Sequence, residues 1–75
     1  MKREGKMSNS VYNIIEIVGT STKSWEDAAK KAVETASKSL KDLRIAEIVK
    51  LDMTIEDGRV VAYRARVNIS FKYHG

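Results

Sequence analysis

A chain of 75 residues without cysteine and with a formal charge of +4 allows one domain and excludes a disulfide framework, a thiolate nucleophile and a cysteine-ligated zinc site. Lys2, Arg3 and Lys6 against Glu4 place half of that charge before the first patterned segment, leaving a mildly basic remainder of interspersed signs. That is the pattern of a solvated surface, so no nucleic-acid partner is expected.

No apolar run is long enough for a signal peptide or a membrane-spanning helix. The expectation is therefore a soluble, cytoplasmic protein without a membrane partner. Residues 1–9 read as a flexible extension and residues 10–75 as the folded domain. A domain this small buries only about 60% of the surface its unfolded chain exposes.

The first element is "VYNIIEIV", Val11 to Val18, rich in β-branched residues and apolar on both faces. Tyr12, Ile14, Glu16 and Val18 share one face; Val11, Asn13, Ile15 and Ile17 share the other. "GTSTKS" is expected to end this strand, with Gly19 free to turn. Ser24 and Asp27 then make a loose capping box. Trp25, Ala28, Ala29, Ala32, Val33, Ala36, Leu40 and Leu43 recur at helical spacing, which predicts an amphipathic helix of about 18 to 20 residues, roughly 27 to 30 Å long. Its alanines let a sheet approach closely.

After Arg44 the period becomes two. Ile45, Glu47, Val49, Leu51, Met53 and Ile55 are expected on one face, with Ala46, Ile48, Lys50, Asp52, Thr54 and Glu56 on the other. Asp57-Gly58 signals a tight hairpin. The returning strand sets Val61, Tyr63, Ala65, Val67, Ile69, Phe71 and Tyr73 on an apolar face, and Val60, Ala62, Arg64, Arg66, Asn68, Ser70 and Lys72 opposite. The class is α+β, in the order β-α-β-β, with one helix against an antiparallel sheet. A last strand of 12 to 14 residues would run about 40 to 48 Å, more than the helix covers. Burial of the surplus by further copies of the chain is the expected consequence.

Candidate chemistry is sparse. "GTSTKS" lacks the second glycine and the spacing of a phosphate-binding loop, and helix capping accounts for it. His74 has no nucleophile or second imidazole beside it, so no catalytic group is identified and the chain is read as nonenzymatic. Glu47, Asp52 and Glu56 are candidate cation ligands, although Ca²⁺ takes six to eight oxygens and copies related by symmetry would have to complete its shell. Arg64 and Arg66 could grip a phosphate or carboxylate, or pair with Glu47 or Asp52 between subunits. Trp25, on the buried stripe, is expected in the core rather than stacked on a ligand.

The run "VYNIIEIVGTSTKSWEDAAKKAVETASKSLKDL", followed by "RIAEI" and "EDGRVVAYRARVNISFKY", resembles the dodecin family. The resemblance implies a three-stranded antiparallel sheet wrapped around one helix and twelve such subunits in a hollow shell, here a homododecamer. It also implies a flavin (FMN or riboflavin) site in which a Trp stacks on the ring and a Gln bonds its polar edge. The matching positions here are Ile45 and Arg64. Ile45 has no π face, a loss of about 0.5–1.5 kcal/mol per ring pair. Arg64 has no acceptor for an imide N–H, which costs about 1–3 kcal/mol if the donor stays buried and unpaired. Together they predict flavin binding weaker by about tenfold or more.

"SWEDAA", "RIAEIV" and the "YR" of the last strand are similar to a subgroup associated with calcium. The expected function is a nonenzymatic homo-oligomeric shell that binds, stores or sequesters a small ligand or cation. The alternatives are a structural or interaction shell with a vestigial pocket, and flavin storage in an altered mode.

Overall fold

A computed structural model describes residues 11–73. The extension at residues 1–9 and His74 lie outside the described residues. Within them the chain forms β1 (Tyr12–Ser21), α1 (Trp25–Ser37), β2 (Leu43–Glu56) and β3 (Arg59–Lys72). The sheet is antiparallel in the order β1-β3-β2, so the last strand is central. The α+β class and the β-α-β-β order agree with the sequence reading. No helix among the described residues is long and apolar enough to cross a membrane.

Two boundaries differ from expectation. β1 does not stop at Val18, because Gly19, Thr20 and Ser21 continue the ladder opposite Ala65, Arg64 and Tyr63. Gly19 makes no turn there. It gives the helix room, since a Cβ at this position would run into the Ala28 carbonyl oxygen and meet Ala32 Cβ at 3.0 Å.

The helix has 13 residues rather than 18 to 20. Ser37 Oγ donates to the Glu34 carbonyl at 2.7 Å, the local competition with helix hydrogen bonding that serine favours. The amides of Lys38 and Ser39 then reach back only three residues, to Thr35 and Ala36. Asp42, at φ 57°, reverses the chain into β2. Leu40 and Leu43 nevertheless pack against the core, so the apolar stripe is correct although it crosses an element boundary. At the other end Ser24 caps the helix, accepting from the Asp27 amide at 3.0 Å. The Asp27 carboxylate takes the Ser21 hydroxyl at 2.6 Å and Lys31 at 3.3 Å instead of closing the capping box.

Ala28, Ala32 and Ala36 of α1 meet Ala65, Val67 and Ile69 of β3 in the buried core, flanked by Ile15 and Ile17 of β1. The helix therefore lies over β1 and β3. At 1.5 Å per residue it spans about 20 Å, whereas the molecule is 54 Å long. The helix side of β2 and the distal half of the hairpin are left uncovered.

The β2–β3 register carries the largest surprise. Asp57 and Gly58, at φ 51° and 76°, make the expected two-residue turn of positive-φ residues, and Ile55 faces Val60. Thr54, however, faces Ala62, leaving Val61 as an extra residue; Ile48 faces Val67 while Lys50 faces Arg66, leaving Val49 as another. Residues directly opposite in a ladder share a face, and each bulge shifts the alternation. Leu51 and Met53, opposite Ala65 and Tyr63, thus lie on the helix side with Ala46 and Ile48. Ile45 and Glu47, opposite Ser70 and Asn68, lie on the outer side. The single face expected for Ile45, Glu47, Leu51 and Met53 is divided by the bulge at Val49.

Candidate functional site

The outer face of the sheet, averted from the helix, carries four rows that cross all three strands. Ile14, Ser70 and Ile45 form the first; Glu16, Asn68 and Glu47 the second; Val18, Arg66 and Lys50 the third; Thr20, Arg64 and Asp52 the fourth. Alternation brings these residues to one surface, and the bulge at Val49 brings Lys50 and Asp52 to it alongside Ile45 and Glu47.

Asp52 and Arg64 are locked together within one chain. Arg64 Nε donates to Asp52 Oδ1 at 2.7 Å and Nη2 donates to Oδ2 at 2.8 Å, the bidentate fork that makes Arg–carboxylate pairs strong. Hydrogen bonding from Arg64 holds the Asp52 carboxyl below its ordinary range, helped by the positive charges of Arg64, Arg66 and Lys50. The same bond raises the Arg64 guanidinium further. Pairing of Arg64 with an acid was expected between subunits; for Asp52 it occurs inside the subunit, because the bulge at Val61 advances Arg64 to face it.

Trp25 fixes the backbone beneath this pair. Its indole Nε1 donates to the Asp52 carbonyl at 3.0 Å, and its ring meets Tyr63 edge-on with centroids 5.1 Å apart. Half-buried, it stands outside the core in which it was expected and forms one wall of an apolar pocket of about 290 Å³ with Glu26, Ala29, Ile48 and Leu51. The periodicity put Trp25 on the helix's apolar stripe, but its tie to Asp52 depends on β2 register and left no local signal.

The remaining site candidates are dispersed. Ile45 is 66% exposed in a shallow pocket of about 140 Å³ with Ile14, Glu47, Asn68 and Ser70. Its row lies six residues along β3 from the Arg64 row, about 20 Å at the rise of a strand. One small ligand cannot touch both positions in a single chain. Glu47 faces Asn68, Asp52 faces Arg64 and Glu56 faces Arg59, so the three acids do not converge. Among the described residues no three metal-ligating side chains gather.

Comparison with known proteins agrees with this architecture. The family model described as Dodecin matches residues 11–74. Calcium dodecin of Mycobacterium tuberculosis is 43% identical over 63 residues, spanning 84% of this chain and 89% of that protein. Its crystal structure, described as a calcium chelating immunodominant antigen with a novel calcium-binding site, superposes with a TM-score of 0.77 at 42% identity, covering 87% of this chain and 93% of that one. Dodecin from Streptomyces coelicolor superposes with a TM-score of 0.85 at 33% identity, covering 92% and 99%. Sequence match, strand order and the helix-on-sheet arrangement coincide, and the chain belongs to the dodecin family.

Proposed function

We propose that this chain is a nonenzymatic dodecin that assembles into a homo-oligomeric shell, twelve-membered as the family resemblance implies, and binds or sequesters a small ligand or cation. The observation that carries the reading is the uncovered apolar surface of the hairpin. Ile48, Leu51, Met53, Ile55, Val60 and Val61 are each at least 39% exposed, although β3, one of the two strands they belong to, buries Ala65, Val67 and Ile69 under the helix. Contiguous apolar surface on this scale marks an interface, and further copies of the chain are its occupant in this reading.

Calcium is the leading ligand, supported by the likeness to calcium dodecin. Glu47, with Glu16 across Asn68 in the same row, supplies hard oxygen donors to the outer face. A cation can take Asp52 only by displacing the Arg64 fork. One chain falls short of the six to eight oxygens Ca²⁺ takes, so the shell must complete a site between copies. Flavin is disfavoured because Ile45 offers no ring and Arg64 is already engaged.

Light scattering tests the assembly: about 100 kDa is expected for twelve chains of 8.4 kDa, and a stable monomer removes the reading. Calorimetric titration with Ca²⁺ then separates cation binding, which gives saturable heat, from a purely structural shell, which gives none.

A further inference from the structure

We propose that Asp52 is a specificity-determining residue: by holding Arg64 it keeps phosphate-bearing ligands off the outer face of the sheet. The inference rests on that face being the ligand-bearing surface of the proposed binding protein. A phosphate grips arginine through the same two-pronged geometry that the Asp52 carboxylate uses, and both prongs, Nε and Nη2, are taken at 2.7 and 2.8 Å. The lock is preorganised, because Trp25 Nε1 pins the Asp52 carbonyl at 3.0 Å and Tyr63 braces the indole.

The neighbouring row makes the exclusion consequential. Arg66 and Lys50 stand opposite each other one row from the lock, about 7 Å along the strands, and neither forms a salt bridge among the described residues. Without the carboxylate, three cationic side chains would face one small area, an arrangement that binds an oxyanion. With it, Asp52, Glu16 and Glu47 balance Lys50, Arg64 and Arg66 across three successive rows. These rows are then charge-neutral, and the Nε–Nη2 fork of the one guanidinium held in position is occupied.

Isothermal calorimetry of the assembled full chain with inorganic pyrophosphate tests this. The parent protein is expected to bind weakly or not at all, and Asp52→Asn and Asp52→Ser to bind at least tenfold more tightly. Adding Arg64→Gln to Asp52→Asn should return affinity to the parent level. Neutral variants that bind no better than the parent, a gain that survives the loss of Arg64, or a parent that already binds as tightly would each overturn the proposal. Loss of fold in both neutral variants would overturn it as well, by making Asp52 structural. A Ca²⁺ titration of the parent run alongside keeps the two readings apart: no calcium binding with a pyrophosphate gain in Asp52→Asn removes the cation reading and leaves the lock in place.

Discussion

Gly19 of β1 lies directly beneath the Ala28 carbonyl of the helix, so closely that no side chain fits between them. Any Cβ there must push the helix off β1 and β3, opening the alanine seam formed by Ala28, Ala32 and Ala36. Gly19→Ala is expected to destabilise by about 1–3 kcal/mol, the usual range for overpacking a filled interior, read as a lowered denaturant midpoint with an unchanged slope.

Gly58 provides the contrast. A Cβ there meets nothing within 4 Å, and only its φ of 76° opposes a side chain. Gly58→Ala should therefore cost about 1–2 kcal/mol from backbone conformation alone. The expected readout is a lower thermal midpoint with the mass by light scattering retained; a larger loss accompanied by disassembly contradicts a purely local turn.

Acid should weaken the fold through Asp27 and Asp52. Hydrogen bonds from Ser21 and Arg64 respectively hold these carboxyls below their ordinary 3.8. The unfolded chain therefore binds protons more readily than the folded one, and stability present above that ordinary value is lost as pH falls through the lower folded-state values. Denaturation midpoints across the acid range should decline in the parent and flatten in Asp27→Asn. An identical decline in both contradicts the assignment for Asp27.

Ile55, 62% exposed, lies on the hairpin beyond the helix and contributes little to the core of a single subunit. A charge there should act on assembly: Ile55→Glu is expected to lower the mass measured by light scattering while retaining the far-ultraviolet dichroism of the parent. An unchanged mass removes this part of the hairpin from the interface.

The flavin correspondence can be tested by restoring it. Ile45→Trp with Arg64→Gln should raise riboflavin affinity about tenfold or more, the inverse of the loss attributed to the two residues, measured by quenching of flavin fluorescence. No gain in the double variant means that the positional match, or the role given to these positions, is wrong.

The sequence by itself determined the β-α-β-β order, the Asp57-Gly58 hairpin and the apolar face of β3, because alternation, helical spacing and turn chemistry are local and survive in any tertiary setting. It also identified the alanine stripe, though not where the helix ends, since Leu40 and Leu43 keep the spacing after the helix ends at Ser37. Only the tertiary structure decided the role of Gly19, which resembles a turn residue until the helix is placed above it. Only the sheet decided the partner of Arg64. A plain two-residue hairpin would oppose Asp52 to Tyr63; the extra residue at Val61 moves Arg64 into that place, and the bulge at Val49 separates Ile45 and Glu47 from Leu51 and Met53. Bulges are fixed by which partner strand packs best, a property of two strands together, and β2 read alone contains no trace of it.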